Sequence, residues 1–220
     1  MARVESRVML YQIVFENAHF VIVDKAANVL SVPSRMGEVE ERPILGLVLQ
    51  NDLGIRLFPV HRLDFEVQGL IMFAKTPAAQ KAGNAWFEKK TVEKIYCALT
   101  LSHSGHKIGE TNEWQCRLLR GKKRAYEAAH GKESLTIAHL ESLDESGYFH
   151  WEMRPVTGRS HQLRYELFRH GMPIIGDALY GSTERFKFEG IALRSFKIDF
   201  SKALDRQDFL LPDQIVVDPF

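Results

Sequence analysis

Between two apolar runs, Arg56 to Val60 and Leu70 to Ala74, the chain carries His61-Arg62-Leu63-Asp64-Phe65-Glu66-Val67-Gln68-Gly69, a segment polar at its centre. A carboxylate set in such a break can stand at a cleft without the desolvation cost of a buried charge. There it can attack covalently or stabilise a positively charged transition state. Taken alone, Asp64 is more often a turn or capping aspartate than a catalyst. A second polar cluster changes the balance: Arg154-Pro155-Val156-Thr157-Gly158-Arg159-Ser160-His161-Gln162-Leu163-Arg164, followed by Gly171-Met172-Pro173-Ile174-Ile175-Gly176-Asp177 and Tyr180-Gly181. An arginine from this cluster brought beside Asp64 would keep the carboxylate ionised, because a guanidinium does not readily give up its proton. By position Arg164 fits either that role or an exposed place at the edge of an apolar helix face.

Other chemistry-bearing residue types have plainer readings. Tyr96 is opposite in strand phase to Ile95 and Cys97, so it either covers the second sheet face or stacks on a ligand in a cleft. Its phenol is a poor base near neutral pH. His103 and His106 flank Ser104-Gly105 in a polar loop and read as solvated side chains rather than metal ligands. Gly158, Gly171, Gly176 and Gly181 read as turn and helix-end residues, and Asp177 as an anchor for the loop before Tyr180.

The elements that must position these residues follow from pattern. Tyr11 to Phe15 and Phe20 to Asp24 read as paired strands, followed by a loop through Pro33 and Gly37. Pro43 to Leu53 reads as a helix with proline near its first turn and Gly54 beyond its end. Arg56 to Val60 and Leu70 to Ala74 read as strands that carry the Asp64 segment between them. Thr76 caps a helix running towards Lys89, with Pro77 at the first helical position. Strands are expected over Glu93 to Leu101, Trp114 to Leu118, Leu135 to Ser142, Phe149 to Arg154 and Ile191 to Phe200. A helix is expected from His161 to His170 with Ser160 as N-cap and Gly171 as stop. Strand runs with few helices and no regular βαβ alternation give an α+β fold with a mixed, largely antiparallel sheet.

Composition bounds the function class. The 220 residues include 45% hydrophobic and 26% charged positions, which excludes a disordered or fibrous chain. Two cysteines, Cys97 and Cys116, make no disulfide framework and show no metal-ligand spacing, favouring a reducing compartment. Arg3, Glu5 and Arg7 precede a broken apolar stretch, and no apolar run has the ~18 residues of a membrane span, so neither a signal peptide nor an anchor is expected. The net charge of +1 does not announce a nucleic-acid binder. The basic residues, however, are clustered: Arg117, Arg120, Lys122, Lys123, Arg124 and Lys132 in one segment, Arg154, Arg159, Arg164 and Arg169 in another. Brought to one face, with Glu38, Glu40 and Glu41 lying elsewhere, they would hold phosphates; otherwise they are two solvated surfaces.

Several ordered motifs carry a resemblance across most of the chain. They are Val29-Leu30-Ser31-Val32-Pro33; His61-Arg62-Leu63-Asp64 with Gly69-Leu70 and Ala74-Lys75-Thr76; Lys94-Ile95-Tyr96-Cys97-Ala98-Leu99; and the run from Pro155 to Gly181. Together they resemble the RluA-type family of pseudouridine synthases in its compact form, without an S4-like extension, as one catalytic domain over residues 1–220. The resemblance implies a pseudouridine synthase-like fold with a catalytic cleft and a reaction without metal or cofactor. It implies an RNA substrate, ribosomal or transfer RNA, whose uridine leaves its stack. It assigns catalysis to Asp64, to Tyr96 stacking on uracil and to Arg164 paired with Asp64. Arg62 would occupy the space left by the flipped nucleotide, Leu193 would wall the base pocket, and His61 and Arg159 would join them in substrate binding. A monomer acting in the cytoplasm, away from membranes, is expected.

Three positions depart from the family pattern. Val67-Gln68 stands where Thr-Ser precedes Gly-Leu, Lys25-Ala26-Ala27-Asn28 replaces Lys-Pro-x-Gly, and Leu193-Arg194-Ser195 replaces Leu-His-Ala. Two rival functions are an RNA-binding module that keeps the fold without catalysis, and a metal-dependent hydrolase built on His61, Asp64, His161 and Asp177.

Overall fold

The computed structural model describes residues 9–33 and 40–220. Arg3, Glu5, Arg7, Gly37 and Glu38 lie outside the described residues. Three strands build the first wall: β1 (Tyr11–Glu16), β2 (Phe20–Lys25) and β4 (Gln68–Ala74) pair antiparallel, β1 with β2 and β2 with β4. β2 and β4 are apolar at successive positions because both of their faces are covered. Val21, Val23, Ile71 and Phe73 point into one core, Phe20, Ile22, Leu70 and Met72 into a second on the opposite face.

The remaining strands are β3 (Phe58–Pro59), β5 (Glu93–Leu101), β6 (Thr111–Arg120), β7 (Ala125–Glu127), β8 (Lys132–Leu143), β9 (Tyr148–Pro155), β10 (Leu193–Asp199) and β11 (Gln214–Val216). They form one sheet ordered β1-β2-β4-β10-β5-β9-β8-β6-β7, with β3 on β4 and β11 on β10. All pairings are antiparallel except β4 with β10. β6 and β8 alternate buried and exposed residues, as expected where one sheet face is solvated. Helices α1 (Leu45–Leu53) and α3 (Gln162–Arg169) cover the first core through Leu45, Leu49, Leu163 and Leu167; α2 (Pro77–Glu88) covers the second through Ala79 and Trp86. No helix of the described residues is long and apolar enough to cross a membrane.

The α+β expectation agrees with this sheet, and Thr76 caps α2 as expected, accepting the Ala79 amide at 3.1 Å. Some boundaries differ. Pro43 is not in the first turn of α1, because its carbonyl accepts the Leu30 amide at 3.0 Å and Ile44 bridges Leu30. The strand expected over Arg56 to Val60 shrinks to Phe58–Pro59, where proline supplies no amide to the ladder. Ser160 does not cap α3; His161 takes that position at φ 53°, without a side-chain cap bond.

Candidate active site

Hydrogen bonds from Ser31, Lys25, Ile191 and Met72 hold the segment that carries Asp64. The buried Ser31 hydroxyl donates to the Leu63 carbonyl at 2.8 Å and accepts the Leu63 amide at 3.0 Å, using both halves of its hydrogen-bonding capacity. Lys25 Nζ donates to the carbonyls of Phe65 at 3.3 Å, Val29 at 2.8 Å and Ala26 at 2.9 Å. The Ile191 amide donates to the Glu66 carbonyl at 3.3 Å. His61 Nε2 accepts the Met72 amide at 3.1 Å. Asp64 therefore sits between two residues tied to the end of β2 and to the loop after it, with its side chain 19% exposed.

Arg164, in the first turn of α3, faces it and is 1% exposed. Nε and Nη2 fork onto Asp177 at 2.6 and 2.8 Å, while Nη1 reaches Glu66 at 3.0 Å and Asp64 at 3.7 Å. Burial opposes the charge, but the Asp177 bonds and the surrounding carboxylates outweigh it and raise the guanidinium pKa above its ordinary value. Asp64 thus has a fixed cation nearby and keeps oxygens free for a substrate.

Tyr96 on β5 is buried; burial, reinforced by negative Asp64, raises its phenol well above the ordinary range. It is a neutral surface near neutral pH, suited to stacking rather than to proton abstraction. Leu193 stands across the β10–β5 ladder opposite Ala98, and Ser195 opposite Tyr96.

A cavity of about 680 Å³ gathers Asp64, Tyr96, Arg164, Arg62, Leu193 and Arg159. His61 is not among its walls. The His61 ring packs 5.0 Å from Phe87 and lines an adjacent cavity, where burial and then Lys94 pull its pKa well below the ordinary value. It is a neutral imidazole that braces β4 beneath the loop.

Arg42, Lys94, Arg120 and Lys122 also line the main cavity, so both basic segments contribute to one face. The Arg62 side chain makes no hydrogen bond or ion pair among the described residues. Arg159 is steadied by a 2.7 Å bond from Nε to the Glu133 carbonyl. Arg117 and Arg169 instead pair with Glu133 and Glu166. Glu40, expected away from this face, forks onto Arg42 at 2.6 and 2.7 Å.

Sequence reasoning named His161 only for the metal-hydrolase alternative, whereas the structure places it on this cavity. Its ring lies 3.2 Å from the Tyr180 hydroxyl, and burial lowers its pKa despite nearby Asp64. Arg42 and Lys94 were missed, since neither belongs to the basic clusters. The four residues of the metal-hydrolase reading are not brought together: Asp177 is committed to Arg164 and His61 faces the neighbouring cavity. Among the described residues no three metal-ligating side chains form a cluster.

The departures from the family pattern have local explanations. Asn28 takes φ 59°, a left-handed conformation that asparagine tolerates better than most residues, so the turn survives without glycine. Gln68 and Arg194 are register partners across β4 and β10, 3.3 Å apart, and Arg194 also bonds Asp24 at 2.6 Å. Two of the substitutions therefore meet each other.

Residues 19–169 match the family described as RNA pseudouridylate synthase. The dual-specificity RNA pseudouridine synthase RluA of Yersinia pestis is 32% identical over 181 residues, covering 78% of this chain and 82% of that protein. Its counterpart in Vibrio vulnificus is 33% identical over 199 residues, covering 86% and 77%. Among solved structures, human RNA Pseudouridylate Synthase Domain Containing 1 superposes with a TM-score of 0.69 at 22% identity, over 86% of this chain and 78% of that one. Human RNA Pseudouridylate Synthase Domain Containing 4 gives 0.69 at 16% identity, over 94% and 87%. These structures share the α+β sheet architecture. The chain belongs to the RNA pseudouridylate synthase family and is an isomerase acting on RNA.

Proposed function

We propose that this chain isomerises uridine to pseudouridine in structured ribosomal RNA, transfer RNA or both, with Asp64 as the essential carboxylate acting on a nucleotide flipped from its stack. The observation that carries the reading is Asp64 held at the wall of a cation-lined cavity, 3.7 Å from Arg164 and alongside Tyr96 and Leu193. The reaction breaks C1′–N1, turns the base and forms C1′–C5; the C5 proton leaves and N1 gains one, so atoms balance without a redox partner. Positive character develops at C1′ as the glycosidic bond breaks. Asp64 supplies the opposing charge, as carboxylates do in glycoside hydrolysis.

Tyr96 stacks on uracil and Leu193 closes the base pocket. Arg62, unpaired and exposed, enters the gap that the expelled base leaves, offsetting part of the few kcal/mol that unstacking costs. Arg159 contacts phosphate, while His61 supports the substrate-binding segment from beneath. Dual-specificity relatives support more than one RNA target. The enzyme acts as a monomeric single catalytic domain in the cytoplasm; the reduced, buried thiols of Cys97 and Cys116 support such a compartment.

Mapping pseudouridine in RNA from cells with and without the chain identifies the target uridine. On that RNA, Asp64→Asn is expected to lose conversion by ~10³-fold or more while keeping affinity within about twofold. Equal binding with no pseudouridine from either protein would establish an RNA-binding module instead.

A further inference from the structure

Beside the main cavity lies a second one of about 510 Å³, within the ~300–1,000 Å³ range usual for ligand pockets. The two share Arg62, Lys94, Pro155, Thr157 and Gly158, so one wall belongs to both. Several cations line the second cavity, and their partners separate them. Arg154 is bonded to Glu152 at 2.8 Å and Lys202 is paired with Glu93. Arg62, Lys90 and Lys94 have no carboxylate partner among the described residues.

Lys94 is the unusual member. Its ammonium lies 5.2 Å from the Phe87 ring centroid, and burial lowers its pKa to about 8. A half-buried ammonium facing an aromatic ring rather than an acid is incompletely compensated, and an arriving anion would complete it. Lys94 and Tyr96 are two positions apart on one strand, hence on the same face and about 7 Å apart along it. That is a span one sugar–phosphate unit can bridge.

We propose that the second cavity is an RNA subsite in which Lys94, with Lys90, holds the phosphodiester adjacent to the nucleotide in the main cavity. The proposal rests on the reading of the main cavity as an RNA site and adds the direction in which the strand leaves it. Lys94 joins the two compartments, so neighbouring parts of one strand occupy both.

The test uses fluorescent oligouridylate binding across a salt series, a readout independent of conversion. Lys94→Gln is expected to weaken binding several-fold at low salt and to flatten the log–log salt slope by about 0.7, the share of one single-strand phosphate contact. Ile137→Glu places a negative charge in the second cavity alone and is expected to weaken binding in the same way. Lys94→Arg restores the slope, and Asp64→Asn retains it. Wild-type affinity and slope in both Lys94→Gln and Ile137→Glu overturn the subsite. A folded Ile137→Glu carries the decision if Lys94→Gln does not fold. Loss of conversion by the unmodified enzyme would overturn the catalytic reading without changing this comparison.

Discussion

Arg164 serves three carboxylates unequally, and that inequality is what leaves Asp64 usable. Asp177, as buried as Arg164 itself, takes the fork; Glu66 takes Nη1 at 3.0 Å; Asp64 stands back at 3.7 Å. Asp177→Asn removes the charge that fixes the guanidinium, and unfolding free energy should fall by about 3–5 kcal/mol with a parallel loss of turnover. Urea titration and single-turnover conversion check this, and unchanged values in both would contradict it. Lys25 gives a second residue-scale prediction. Burial lowers its pKa from 10.5 to about 7, opposed by Asp64, Glu66 and Asp24. Above about pH 7 the folded lysine has lost its proton while the unfolded one retains it, so the unfolded state binds more protons and stability rises with pH. Urea midpoints should increase from about pH 7 to 8.5, and Lys25→Met should flatten that rise while lowering stability at every pH by leaving carbonyls without their donor.

At the scale of elements, the parallel contact between β4 and β10 controls how the catalytic segment meets its pocket. Gly69 has φ 115°, and an added Cβ would lie 2.2 Å from the Ser195 carbonyl oxygen. Gly69→Ala should therefore cost about 3 kcal/mol or more, from left-handed strain together with backbone collision, and should depress conversion by parting the strands. Chemical denaturation with a conversion assay measures both; a loss below about 1 kcal/mol would deny the close approach its importance. Much of the surrounding fold was legible in sequence. The apolar runs at 20–24 and 70–74 read as strands, and the Thr76-Pro77 pair marked the start of α2. The short β7 and β11 were not legible, since three residues each carry almost no periodicity. Nor was the α3 start: Ser160 has the right chemistry for a cap, but the backbone turns one residue later at His161.

At the scale of the molecule, burial withholds protons from histidines in three separate places. His61 beneath β4, His161 at the cavity and His170 stacked 4.2 Å from Trp114 all have lowered pKa values, that of His170 reaching about 4. As pH falls below 6.5, unfolded histidines take up protons that the folded ones refuse, so stability declines towards about pH 4. A thermal midpoint lower at about pH 5 than at 7.5 is the expected result, with His170→Gln reducing the difference; a flat profile would contradict it. The site was legible to a different depth from the fold. Asp64, Tyr96 and Arg164 stood in ordered motifs and meet in space, whereas Arg42, outside every motif, and Lys94, the lone cation of the motif that carries Tyr96, enter the same basic face where no linear charge run reveals them. The net charge of +1 hides that face because acids elsewhere balance it. The strand order has one more consequence. β10 joins the half-sheet ending in β4 to the half-sheet beginning in β5, although it is made after both. A chain emerging from the ribosome holds two unfinished walls until residues 193–199 arrive between them. Competence for chemistry is thereby deferred until that strand is made, and an interrupted translation product lacking it has no assembled pocket with which to engage RNA.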